Sequence, residues 1–529
     1  MRRAAWCWLV YTSLLQAQNV TYDRLVHALS EQQNWLTYWG DYSAVRHRDL
    51  KQINISNVKD LRVDWLYQTG QAGSFETVPL VVDSVMYLTG PNGYAYALDA
   101  RSGRQLWLYK HAFPPGRKAD GVNRGFAILG DRLFMVTPDA NVVALDARTG
   151  RLIWQTEMAP YNNGQYGATL APIVIKDKVI VGISSAEFGI RGFIDAYDAA
   201  TGKRDWRFWT VPAKGEPGGE TWLGDSWMHG GGSTWMTGTY DPQLNTLYWG
   251  VGNPGPDLYG ESRKGDNLYT CSLVAIDPDN GKLKWHFQFS PHDTHDWDAA
   301  ETPMLLDLKW KGRDRKLVVQ ANRNAFFYVL DRETGEFLMG KPFARQNWAT
   351  ELDAKGRPIL MHNQEPSPEG THLCPGLSGG TNWMAPSYNP DTKLFYFAVR
   401  EQCDVYYTNP PVYIQGRPYW GSVSRGVTEE PEWGLLKALD PLTGESKWDF
   451  RYVHAPWAGT LSTAGGLIFA GDQDGYLMAF DAKTGKNLWR MNTGNPIVNS
   501  PMTYMVKGRQ YVTMPSGSAV VTFALPEQP

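Results

Sequence analysis

ALDARTGRLIW, residues 144–154, is one copy of a phrase that recurs seven times in this chain. It reads Ala or Val, any residue, Asp, two residues, usually Thr, then Gly, with Trp usually four positions later. The other copies are ALDARSGRQLW (97–107), AYDAATGKRDW (196–206), AIDPDNGKLKW (275–285), VLDRETGEFLM (329–339), ALDPLTGESKW (438–448) and AFDAKTGKNLW (479–489). Each copy reads as a β-hairpin. The Asp carboxylate accepts backbone N–H bonds across the turn, the Gly supplies a positive φ, and the second strand runs out to the Trp. One hairpin cannot bury an indole, but a neighbouring four-stranded blade can cover it, so the repeat predicts an all-β propeller. The closing positions are Trp107, Trp154, Trp206, Trp285, Met339, Trp448 and Trp489. Trp65, in VKDLRVDWLYQTG (58–70), matches the second half of the phrase without its turn. With the strand-like YVTMPSGSAVVTFAL (511–525) at the other end, it suggests that the termini share a closing blade and that the blades number eight; seven is the alternative.

The repeats run through nearly all of the 529 residues, which favours one closed domain over 19–529. A short helix is expected over TYDRLVHALSEQQNW (21–35), ahead of the first blade. The long intervals from Trp206 to Trp285 and from Met339 to Trp448 predict large loops, and such loops on a rigid propeller tend to build its ligand face. A net charge of −3 with no basic run argues against a nucleic-acid partner. Arg2 and Arg3, then AAWCWLVYTSLL, then Gln16-Ala17-Gln18 read as an export signal over 1–18, too short to span a bilayer comfortably. The expectation is an exported, periplasmic protein that is not integral to a membrane. Cleavage would remove Cys7 and leave Cys271, Cys374 and Cys403, which suggests one bridge and one buried thiol.

The sequence contains no CxxC, and hence no CxxCH haem site, and no P-loop. Polar, Gly-rich segments interrupt the blades instead: FETVP (75–79), GVNRG (121–125), GISSAEFGIRG (182–192), WMHGGGSTW (227–235), GVGNPGP (250–256), PHDTHDWD (291–298), ANRNAFF (321–327), GGTNW (379–383) and APWAG (455–459). Each alone reads as a turn. Together they bring Glu76, Glu187, Asn253, Asp296, Asp298, Arg124 and Arg323 from different blades. Carboxylates, an amide and guanidiniums around one axis suit a hard cation beside an anionic ligand.

These segments, in this order, resemble those of the pyrroloquinoline quinone (PQQ)-dependent alcohol dehydrogenases of the methanol/ethanol dehydrogenase type, an eight-bladed quinoprotein family. The similarity extends from NWLTYWGDYSAVRHRDLKQIN (34–54) to SPMTYMVKGRQYV (500–512). It implies that Glu76, Arg124, Thr169, Ser184, Ser185, Ala186, Ser233, Asn382 and Trp457 surround the quinone. Trp235 would be the indole on which the flat cofactor lies. It implies Glu187 and Asn253 as metal ligands and Arg323 as the guanidinium beside the reactive carbonyl. Aligned without a gap, PHDTHDWD makes Asp296 the catalytic base and a metal ligand; aligning the Trp-Asp pair instead would make Asp298 the base, at the cost of an insertion. An acidic residue two positions after the base marks the family's lanthanide users, so Asp298 points to a lanthanide(III), with Ca2+ as the alternative.

The implied chemistry is metal-assisted hydride transfer from an alcohol, with electrons passing to a separate acceptor such as a c-type cytochrome. The resemblance pairs Cys374 with Cys403 and leaves Cys271 free. It also exposes a departure: the family's adjacent cysteines before VNRG are here Lys118 and Ala119. His292 and His295 form an H-x-x-H, a weak zinc signal that reads better as loop histidines supporting the site. Two other readings stand beside this one. One is a non-enzymatic propeller scaffold of the outer-membrane assembly type, which would lack the carboxylate and arginine set. The other is a quinoprotein oxidising sugars or polyols, with its preference set by loops within 207–230 and 404–435.

Overall fold

The computed structural model describes residues 19–117, 120–161, 165–527. The proposed signal over 1–18 and the Lys118–Ala119 pair lie outside them. The repeated phrases form the third and fourth strands of antiparallel sheets, and the chain folds as an all-β propeller. Eight sheets of four or five strands follow one another along the described chain, over 80–110, 127–157, 173–209, 239–288, 304–342, 387–452, 460–492, 502–524. The last takes Arg62–Gln68 as its outer strand, paired antiparallel with Ala519–Ala524. The expected sharing of one sheet by both chain ends is therefore present. His47–Arg48 adds a parallel edge strand to the sheet over 460–492.

The turn chemistry follows the sequence reading. In the first copy Asp99 Oδ1 accepts from the backbone N–H groups of Arg101 (2.9 Å) and Ser102 (3.1 Å), and Gly103 sits at φ +72°. The Gly is required twice over, because a Cβ there would collide with the ring of Trp65. The same contact recurs between Trp107 and Gly150, Trp154 and Gly202, Trp206 and Gly281, Trp285 and Gly335, and Trp448 and Gly485. Each indole docks on the next sheet's turn, and all but Trp65 donate to a carbonyl there, as Trp107 Nε1 does to Ala147 (2.9 Å) and Trp206 Nε1 to Pro278 (2.9 Å). Trp489 Nε1 donates to Leu61 (3.0 Å), beside the strand that carries Trp65, so the series of contacts returns to its start. Met339 takes the Trp position in the fifth copy and packs near Gly444 without a donor.

Two expectations need correcting. The N-terminal helix covers only Tyr22–Val26, capped by Thr21 Oγ1 on Arg24 N–H, with a 3-10 turn at Ala28–Ser30. Asn34 and Trp35 are drawn out of the helical path: Trp35 bridges Val81 and Asn34 bonds Glu31 and Asp83. The interval between Met339 and Trp448 is also more ordered than a loop. It holds a hairpin (Ala349–Leu352 with Pro358–Leu360) and a three-stranded sheet (Thr371–Leu373, Asp404–Tyr406, Ser424–Gly426). A disulfide joins Cys374 to Cys403 within this excursion, and Cys271 is free and buried. Among the described residues, no helix is long and apolar enough to cross a membrane.

Candidate active site

The interrupting loops meet in two linked groups. In the first, Arg124 is 5 % exposed and ion-paired to Glu76 at 2.5 Å, and it donates to Thr169 Oγ1 at 2.7 Å. Its guanidinium also lies 4.9 Å from the Trp235 ring centroid and 5.0 Å from that of Trp383. Asn382, beside Trp383, accepts that residue's N–H and donates to Ser378 O at 3.0 Å. In the second group, Asp298 is buried and receives three donors: Arg323 Nη1 at 2.7 Å, Trp235 Nε1 at 2.9 Å and the Asn253 backbone N–H at 2.7 Å. Trp235 links the groups, its face toward Arg124 and its edge toward Asp298.

Asp296 stands 3.5 Å from Arg323 Nη2, and its side chain is 25 % exposed. Of the two candidate bases it is the more open; Asp298 is enclosed by its donors. Asp296 adopts φ +60° in a loop held by Asp293, whose Oδ2 accepts from the backbone N–H groups of His295 (3.3 Å) and Trp297 (3.1 Å). His295 lies buried against Trp297 and donates to or accepts from Gln364 and Asp293, which fits a supporting histidine. Ser233 O accepts from Gly252, where a Cβ would strike both Asp298 Oδ1 and Ser233 Oγ. Ser184 Oγ donates to Gly167 O at 2.7 Å, Ser185 has φ +81°, and Ala186 opens a 3-10 turn that carries Glu187. Trp457 packs under the Arg400 guanidinium at 4.1 Å.

Electrostatics mark the same place. Burial pushes the Asp296 carboxyl well above its ordinary range, Arg323 opposes this, and Asp298, Asp257 and Glu187 add to it. Asp257 is raised by burial and by Glu187. Burial also raises Glu301, whose two carboxylate oxygens have no hydrogen-bond partner. Arg323 stays charged despite burial because Asp296, Asp298 and Glu301 face it. Perturbed carboxylates converging in one cleft are a signature of catalytic or ion-binding sites.

A family model described as the beta-propeller domain of PQQ-dependent glucose/ethanol/alcohol dehydrogenases matches residues 35–358, 454–512. The chain belongs to the PQQ-dependent alcohol dehydrogenase family. Relatives in this family of oxidoreductases include the quinohemoprotein alcohol dehydrogenase ADH-IIG of Pseudomonas putida, 38% identical across 96% of this chain and 76% of the relative. Another is the lanthanide-dependent methanol dehydrogenase of Methylacidiphilum fumariolicum, 35% identical across 94% of this chain and 86% of that protein. A solved europium-containing methanol dehydrogenase superposes with a TM-score of 0.89 at 32% identity, covering 95% of this chain and 100% of the other.

The residues of this PQQ-family site fit both groups that the family implies. Glu187, Asn253, Asp296 and Asp298 offer only oxygen donors, as a hard cation requires. Arg124 Nε is buried without a partner between two indoles, beside the hydroxyl-bearing segments, as a carboxylate-bearing planar ligand would use. The motif reading missed Asp257, Glu301 and Arg263. Asp257 directly follows GVGNPGP and Glu301 lies three positions after Asp298, so a scan for acidic residues flanking these segments would have found both.

Proposed function

We propose that this chain is a periplasmic PQQ-dependent alcohol dehydrogenase, an eight-bladed propeller over 19–529 behind an export signal at 1–18. The observation that carries the reading is the convergence of Asp296, Asp298 and Arg323 beside Trp235, within a chain of this family. PQQ and its metal ion would supply the two-electron acceptor for the hydride leaving the substrate carbon. Glu187, Asn253, Asp296 and Asp298 would hold the metal. Trp235 would be the platform for the quinone, held by Glu76, Arg124, Thr169, Ser184, Ser185, Ala186, Ser233, Asn382 and Trp457.

Asp296 takes the alcohol proton, for which its partial exposure beside Arg323 suits it. Arg323 sits where it can stabilise charge that builds opposite Asp296, and Asp298 fixes its orientation. A lanthanide is favoured over calcium because Asp298 adds an anionic oxygen. The loops expected to select the substrate meet over the Glu187 turn: His229 stacks on Tyr413 at 3.6 Å, and Tyr419 N–H donates to Glu187 O at 2.7 Å. An aromatic cover of this kind supports alcohols with an apolar body over sugars or polyols. Electrons would leave to a separate acceptor such as a c-type cytochrome; of the cysteines in the described residues, two are bridged and one is buried.

Reconstitution of purified protein with PQQ and either Ca2+ or a lanthanide, across primary alcohols and polyols, tests this. Alcohol-dependent dye reduction requiring both PQQ and metal is expected. No PQQ binding and no turnover with either ion would return the scaffold reading.

A further inference from the structure

Asp257 holds neither the metal nor the quinone in the function proposed above. It is 4 % exposed, and its Oδ1 has no hydrogen-bond partner. Its main chain is firmly held. Arg263, itself buried, donates from Nε and Nη2 to Pro256 O (3.1 and 3.0 Å) and from Nη2 to Asp257 O (3.3 Å). The same Nη2 reaches Asp293 O at 2.6 Å, while Nη1 bonds Asn267 Oδ1 at 2.9 Å. Arg263 therefore pins the 254–257 loop to the 293–298 loop through carbonyls, and leaves the Asp257 carboxylate without a hydrogen bond from it. The Asn253 side chain hydrogen-bonds that carboxylate, Glu187 and Asp298 repel it and the Arg263 charge attracts it, and Asp257 in turn acts on Asp296. Glu187, Asn253, Asp296 and Asp298 are the four residues assigned to the metal. Oδ1 nevertheless stays buried without a hydrogen bond, a cost that a coordinated cation would remove.

We propose that Asp257 is a further oxygen ligand of the metal ion bound by Glu187, Asn253, Asp296 and Asp298. The inference rests on that metal-site reading and deepens it. Hard cations of this size take six to eight oxygens, roughly, and ligand charge tunes their affinity. A fourth carboxylate would raise the site's preference for a trivalent over a divalent ion.

The test is a europium(III) titration of the full chain, with and without PQQ, read by directly excited luminescence and by lifetimes in H2O and D2O. Wild type, Asp257→Asn, Asp257→Ala, Glu187→Gln and the rim variant Asp198→Asn are compared, with Ca2+ as competitor. Asp257→Asn is expected to weaken europium binding by about tenfold or more, and to lose part of the preference over Ca2+. Asp257→Ala, which keeps no side-chain oxygen, should report about one additional bound water in its lifetimes, the site vacated by a direct ligand. Asp198→Asn should match wild type. Affinity unchanged in Asp257→Asn and lifetime unchanged in Asp257→Ala, with Glu187→Gln weakened, would overturn the proposal and leave the metal site standing. Wild-type binding in Asp257→Asn and Glu187→Gln alike would overturn the metal-site reading itself. If Asp257→Asn does not fold, Asp257→Ser removes the same charge and is read against the same outcomes.

Discussion

Asp198 and Asp296 are the same residue in opposite surroundings. Asp198, in the third repeat, lies on the rim and accepts from Thr201 N–H at 2.7 Å and Thr201 Oγ1 at 2.6 Å. The Thr201 hydroxyl bond holds its carboxyl below the ordinary range, so the charge there stabilises the fold. Asp296 lies among Asp298, Asp257 and Glu187 in the interior, and burial holds its carboxyl well above that range. The tryptophans divide the same way: Trp154 Nε1 donates to a neighbouring turn carbonyl at 3.2 Å, Trp235 Nε1 to Asp298. Rim copies satisfy each other and hold the ring together. In the interior, carboxylates outnumber the guanidinium of Arg323 that they share, an excess of negative charge that a fold tolerates where a ligand will use it.

The comparison breaks most visibly in Asp296→Asn. Loss of the general base should lower kcat by about 10²–10⁴-fold, without lowering the denaturation midpoint, while Asp198→Asn leaves kcat unchanged. Retention of a large part of the activity by Asp296→Asn would shift the base to Asp298. Next in size is a pair of indole variants. Trp235→Phe loses a bond to a charged group, worth roughly 1.5–3 kcal/mol, and should show it as weaker PQQ binding. Trp154→Phe should cost stability instead, about 1 kcal/mol for its bond to a carbonyl, with PQQ affinity unchanged.

Gly202→Ala places a Cβ at φ +72°, 2.6 Å from the Trp154 ring. Left-handed backbone costs an L-residue about 1–2 kcal/mol, so urea melts should report at least that loss, with activity per folded molecule preserved. The smallest effect belongs to Asp198→Ala, about 1 kcal/mol by analogy with loss of a helix cap. Its sign with pH is fixed by the depressed carboxyl. The wild-type advantage is present above the ordinary aspartate pKa of about 4 and fades as pH falls through the lower folded value. A gap between the two proteins that is constant down to pH 2, roughly, would contradict the turn's role.

The frame was legible because its chemistry is sequential: Asp99, Gly103 and Trp107 sit within one phrase, and the repeat shows their common purpose. Trp65 could be placed as a partner of the last strands for the same reason. Asp296, Arg323 and Trp235 lie on three separate loops; convergence of propeller loops grouped the first two, and only the resemblance to a family added Trp235 before the fold did. Asp257 and Glu301 carry no periodic signal; what distinguishes them is a buried oxygen without a hydrogen-bond partner, a property of the folded chain. The helix over 21–35 was overextended because its pattern contains no stop, whereas the pairing of Trp35 with Val81 is a tertiary event. The sheet spanning 371–426 depends on strands far apart in the chain, again beyond what spacing reveals.

The most direct test of the division between rim and interior is calorimetric titration of PQQ, in the presence of metal, into wild type, Trp235→Ala and Trp154→Ala. The account predicts one PQQ per chain in wild type, binding largely lost in Trp235→Ala, and binding kept in Trp154→Ala despite its lower stability. Equal affinity in the two variants, or no binding to wild type with either calcium or a lanthanide, would contradict it.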